Sequence, residues 1–207
     1  FLKEWKEKIN PLYLMVSLPP TFAYPAHDAT TKILKEAVIP FCRDSGLPLA
    51  LMIGVKRAVN PDLQLAGDGL GRADLVALEN LCAENQDVKF LCTVLSRENQ
   101  QELCVIGRKF RNLHIFGCWW FTNIPSIIEE MTRLRMELLG TSFTVQHSDA
   151  RVLDQVIYKW DHSRQIMTDV LTDKYTHLTQ TGWSLTDQAI QRDVNNLLGA
   201  SFEAFCR

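Results

Sequence analysis

His147, Asp149 and Arg151 lie close together in one stretch, Thr-Ser-Phe-Thr-Val-Gln-His-Ser-Asp-Ala-Arg, running from Thr141 to Arg151. An imidazole and a carboxylate can move protons, and a guanidinium offers a planar fork that matches a substrate carboxylate. Residue types and spacing carry the reading as far as a carboxylate-and-arginine site in an α/β protein. A second group is Trp119 and Trp120, whose flat rings can wall a sugar. Arg97 with Asn99, and Lys56 with Arg57 ahead of Gly67-Asp-Gly-Leu-Gly71, add polar positions.

Each candidate has a plainer reading. His147 alone is more often a hydrogen-bonded structural histidine, Asp149 a cap for the following helix, and Arg151 a surface residue. One tryptophan of the pair would be core, because neighbours on a strand face opposite ways. Arg97 to Asn99 suits a loop leading into a helix. The glycine run lacks the lysine of a phosphate-binding loop and does not join strand directly to helix, so a mobile loop is the expectation.

The elements that must position these residues alternate along the chain. Apolar runs at 12–18, 49–55, 89–95 and 114–121 read as strands buried on both faces, and 141–146 as a fifth. Helical periodicity follows at 28–42, 73–83, 100–110, 126–139 and 152–175. Ser184 and Asp187 resemble a capping box for a last helix at about 185–198. Every candidate therefore sits at the end of a strand, where functional loops of parallel α/β proteins gather. Two architectures fit, an open doubly wound sheet or part of a (β/α)8 barrel. Five units are too few to close such a barrel and would leave edge strands unpaired.

The totals exclude several classes. The 207 residues carry a formal net charge of −2, with no basic run to track a phosphate backbone, so nucleic acid is not an expected partner. No apolar run reaches the length of a membrane span. The 6 cysteines include no CxxC pair and sit in apolar or helical contexts, which predicts reduced core thiols and a soluble cytoplasmic protein.

Long motifs carry a family resemblance. Ile115-Phe-Gly-Cys-Trp-Trp-Phe121, His147-Ser-Asp-Ala-Arg151 and Leu153-Asp-Gln-Val-Ile-Tyr-Lys-Trp160 resemble the uronate isomerases (glucuronate isomerase) of the amidohydrolase superfamily. Leu51-Met-Ile-Gly-Val-Lys56 and Leu95-Ser-Arg-Glu-Asn-Gln100 fit the same pattern. The resemblance implies a (β/α)8 TIM barrel, represented by its carboxyl-terminal five units, strands four to eight, as a single domain over 1–207. It implies interconversion of D-glucuronate and D-fructuronate, or D-galacturonate and D-tagaturonate, through an enediol. Asp149 would be the metal-binding and proton-relaying aspartate, and Arg151 would hold the uronate carboxylate. Trp119, Trp120, His147, Arg97 and Arg57 would line the substrate. The implied cofactor is a divalent metal, with zinc the first expectation. Its His-x-His ligands are missing here: His27, His114, His147, His162 and His177 are too far apart to be that pair.

The expected partners are therefore a uronate sugar, the amino-terminal half of the barrel and other copies of the protein in a homo-oligomer. Three functions stand at this point. The first is an isomerase completed by the missing half. The second is a non-catalytic module for an anionic sugar or a partner chain. The third, weaker, is a hydrolase on the same barrel.

Overall fold

The computed structural model describes residues 1–147 and 149–207. Its frame is one five-stranded parallel sheet. The strands are β1 (Leu14–Leu18), β2 (Leu49–Ile53), β5 (Phe90–Val94), β6 (Leu113–Phe116) and β7 (Phe143–Thr144), side by side in that order. Each strand pairs in parallel with the next of the five in the chain, Leu14 opposite Leu49, Leu49 opposite Phe90, Phe90 opposite Leu113 and Ile115 opposite Phe143. The order never reverses. A doubly wound sheet needs such a reversal, so that alternative is set aside.

Alternation along the strands sorts side chains into two layers. Leu49, Leu51 and Ile53 of β2 and Phe90, Cys92 and Val94 of β5 join the main core, together with the connecting helices. Those helices are α4 (Val76–Glu84), α5 (Gln100–Lys109), α6 (Pro125–Leu139) and α7 (Leu153–Gln180). Ala50, Met52 and Leu91 face the other way, into a smaller cluster with Phe116 and Trp119. Both faces of β2 and β5 are buried, which is why their sequences read as unbroken apolar runs rather than alternating ones.

The first connection is a helical rod made of α2 (Ala29–Ile33), a π-helical turn over Leu34–Val38, and α3 (Ile39–Ser45). Asp28 caps its start by accepting from Thr31 N at 2.7 Å. The π turn precedes Pro40, whose missing N–H cannot serve the regular ladder. α1 (Leu2–Ile9) precedes the first strand, and β3 (Val55–Lys56) and β4 (Gly69–Leu70) form a small antiparallel ribbon after β2.

Three boundaries depart from expectation. The strand predicted over 114–121 stops at Phe116, because Gly117 at φ 68° turns the chain. The last strand is short, Phe143–Thr144. The last helix is capped by Thr186, accepting from Ala189 N at 3.2 Å, and not by Ser184. It extends past 198 through α8 (Asp187–Asn195), a turn kinked at Gly199, and α9 (Ser201–Cys206). α9 crosses to the small cluster, where Phe202 lies edge-on to Tyr13 at 5.9 Å and Phe205 sits 5.2 Å from His114. The 6 cysteines are free thiols and all but Cys206 are buried, as the sequence predicts.

Candidate active site at the carboxyl ends of the strands

The turn after β6 organises the site. Gly117 N donates to Thr144 O of β7 at 2.8 Å, and Gly117 O accepts from Arg135 Nη1 of α6 at 2.8 Å. A β-carbon at 117 would come within 1.9 Å of His147 Cδ2. Only glycine allows both this backbone angle and this approach. The His147 ring therefore lies over the turn, with its centroid 5.2 Å from that of Phe116.

The His147 side chain is largely enclosed. Its Nε2 is buried and has no partner among the described residues. Burial drives its pKa down to about 4, opposed by the Asp149 charge and assisted by Lys159 and Arg135. It is a neutral imidazole at physiological pH.

Gln146 stitches the neighbouring backbone. Its Oε1 accepts from His147 N at 3.0 Å and Cys118 N at 3.4 Å, and its Nε2 donates to Ser163 of α7 at 3.1 Å. Lys159, also on α7, donates to the carbonyl of Asp149. Asp149 N donates to His147 O at 3.2 Å, and Arg151 N to Gln155 Oε1 at 2.7 Å. The backbone of this tip is thus tied down while Asp149 and Arg151 remain exposed. Asp149 does not cap α7; the cap position is Val152, which makes no side-chain cap bond.

The glycine-rich segment after β2 is not a plain loop. Gly69–Leu70 pairs with Val55–Lys56, and Asp68 accepts from Ala58 N at 3.0 Å and pairs with Arg57. Its carboxyl is held below the ordinary value first by the Ala58 N–H, then by Arg57, with a smaller effect from the Arg151 charge. The ribbon follows β2 and the tip follows β7, so both stand at the carboxyl end of the parallel sheet.

The tryptophans lie in a turn. Trp119 opens the 3-10 turn Trp120–Thr122 and is buried, and Trp120, at φ 43°, stacks on Phe121 at 4.6 Å. Because the strand has already ended, the opposite-faces rule does not apply. Both rings pack against the same small cluster that holds Phe116. Arg97 stands apart, donating to Glu130 of α6 at 2.8 Å, in keeping with a loop leading into a helix. The structure keeps His147, Asp149 and Arg151 on one tip, pairs Arg57 with Asp68 on the ribbon after β2, and leaves Arg97 engaged with Glu130.

Gln146, Asp68, Lys159, Arg135 and Gly117 were not among the residues predicted from sequence. A glycine directly after a buried apolar strand was the available signal for the turn. Nothing in spacing marks the others.

Among the described residues, no group of three or more His, Cys, Asp or Glu could hold a metal. One exposed carboxylate beside a neutral imidazole does not make a metal site, so a resident ion would need ligands from outside these residues.

No protein-family model matches the chain, and no curated protein does. Solved structures do. A uronate isomerase from Bacillus halodurans is 52% identical over 100% of this chain and 49% of its own, with a TM-score of 0.97. The chain is similar to the carboxyl-terminal portion of a uronate isomerase. A uronate isomerase from Thermotoga maritima (16% identity, TM-score 0.74, 93% of this chain and 49% of that one) shares the fold. So does a glucuronate isomerase from Caulobacter crescentus (15% identity, TM-score 0.79, 98% of this chain and 48% of that one). The chain spans about half the length of each of these uronate isomerases.

Proposed function

We propose that these residues form the carboxyl-terminal five units of a single (β/α)8 barrel and carry half of the active site of a uronate isomerase. The observation that carries this reading is the tip after β7. Asp149 and Arg151 are exposed on a backbone held by Gln146, Lys159 and Gln155, beside the His147 ring. The 52% identity to the Bacillus halodurans uronate isomerase supports the same assignment.

In this reading Arg151 takes the uronate carboxylate in a bidentate contact, and Arg57, paired with Asp68, adds positive potential at the same end of the sheet. Trp120 walls the sugar, backed by the buried Trp119. The reaction converts an aldose to a ketose by moving a proton between adjacent carbons through an enediol. Asp149, solvent-accessible and pre-oriented, takes the proton from one carbon and returns it to the next. The neutral His147 ring packs beneath the tip and excludes water from it. A divalent metal would polarise the carbonyl; Asp149 would be its one ligand from this chain, the remainder coming from the amino-terminal half.

The order of the sheet favours this reading over a free-standing binding module. Unreversed parallel strands, a helical layer on one face and an apolar cluster on the other are the arrangement of a barrel arc. The test is turnover of glucuronate by the polypeptide that includes the amino-terminal half, with Asp149→Asn and Arg151→Met variants. Asp149→Asn should remove turnover while leaving uronate affinity, and Arg151→Met should raise KM. Turnover unaffected by both changes would refute the assignment.

A further inference from the structure

Arg135 is the largest fully buried side chain of the protein, at 1% exposure. Among the described residues no carboxylate pairs with it. Its Nη1 donates to Gly117 O at 2.8 Å, its Nη2 to Gln100 Oε1 at 3.2 Å, and its Nε has no partner among the described residues. The guanidinium carbon stands 6.0 Å from the centre of the Phe143 ring. A lone cation in such surroundings is a poor stabilising device, since an apolar side chain of similar volume would avoid its desolvation.

What the cation does is local. Gln100 Nε2 donates to Val94 O at 3.0 Å and Ser96 O at 3.2 Å, at the end of β5. Gly117 closes β6, and Gln146 ties Cys118 N to the end of β7. Arg135 is the bridge between the first two of these anchors. The carbonyl it holds belongs to the left-handed glycine on which the His147 ring rests.

We infer that Arg135 is a positioning residue for the strand-end site: by fixing the Gly117 carbonyl it holds the turn that seats His147 and the tip bearing Asp149 and Arg151. The role in turnover rests on the isomerase reading proposed above; the role in holding the turn does not.

The experiment uses the polypeptide that includes the amino-terminal half, as wild type, Arg135→Met and Arg135→Lys. Amide hydrogen exchange is followed at Gly117, Cys118 and His147, with the amides of Leu51 and Leu91 as the core reference. In Arg135→Met, exchange at the three turn amides should accelerate tenfold or more while the reference stays within twofold, and Arg135→Lys should recover part of the protection. kcat for a uronate should fall at least tenfold in Arg135→Met, and KM should rise, because the loosened tip carries both Asp149 and Arg151. Should Arg135→Met not fold, Arg135→Lys alone decides: with a single ammonium in place of the guanidinium fork, exchange at the three turn amides should rise at least twofold relative to the reference amides. Unchanged exchange at Gly117, Cys118 and His147 overturns the inference, whatever the turnover. A wild-type protein inactive on uronates would remove the isomerase reading and leave the exchange result to decide the role of Arg135.

Discussion

The His147 ring rests on Gly117, so closely that an alanine β-carbon at 117 would sit 1.9 Å from His147 Cδ2. This contact joins the ends of β6 and β7, and the site is built on it. Gly117→Ala should therefore act twice, through the left-handed backbone and through the clash. Gly46 is the internal control: it has a similar φ, 71° against 68°, but nothing within 4 Å of its virtual β-carbon. Gly46→Ala should cost about 1 kcal/mol for the backbone alone. Gly117→Ala should cost about 3 kcal/mol and displace His147. Urea unfolding of the two variants, side by side, measures the difference; equal costs would mean that the contact contributes nothing.

Asp68 is expected to govern the substrate's carboxylate end. Its carboxylate holds Arg57 and the Ala58 amide, and feels the charge of Arg151. Asp68→Asn should release Arg57 and loosen the β3–β4 ribbon. The expected outcome is a several-fold higher KM for a uronate with kcat little changed, and faster proteolytic nicking between Arg57 and Asp68. A lower kcat at unchanged KM would place Asp68 in the chemistry instead.

His114 should make stability depend on pH. Burial, with Arg135 nearby, lowers its pKa from 6.5 to about 4 in the folded protein, while its Nε2 meets Thr144 Oγ1 at 2.9 Å. Between those values the unfolded chain binds more protons, so stability rises with pH across that window. The contribution is complete above about pH 6.5, declines as the pH falls toward 4, and amounts to roughly 3 kcal/mol. His114→Phe, packed against Phe202 and Phe205, should flatten this part of the stability curve. Denaturant midpoints from pH 4 to 7 provide the measurement, and an unchanged slope would show that His114 does not titrate across the transition.

Much of the frame was legible in the sequence because burial wrote it there. β2 and β5 are covered on both faces and read as apolar runs; the helices were found by period. The Trp119–Trp120 pair was misplaced on a strand because Phe116 to Phe121 remains apolar after the strand ends, and hydrophobicity cannot distinguish a buried turn from a buried strand. Gly117 was the mark of that ending. The glycine run after β2 looked mobile because its order comes from Asp68 reaching Arg57 and Ala58, contacts that no local pattern encodes. His147, Asp149 and Arg151 were visible as a cluster of types. The groups that seat them, Gln146, Lys159 and Arg135, come from separate elements and meet only in three dimensions. Arg135 in particular looks like any helix-surface arginine until α6 is docked.

On the proposed reading, this chain supplies the proton-transfer carboxylate, Asp149, and the carboxylate-binding arginine, Arg151, of a uronate isomerase, and the amino-terminal half supplies the rest of the site. The most direct test is interconversion of D-glucuronate and D-fructuronate by three preparations: the 207-residue chain alone, the polypeptide that joins it to the amino-terminal half, and that polypeptide with Asp149→Asn. The joined polypeptide should turn over, the 207-residue chain should not, and Asp149→Asn should lose about 100-fold or more in kcat. Near-normal turnover by the Asp149→Asn protein, or turnover by the 207-residue chain alone, would contradict the account.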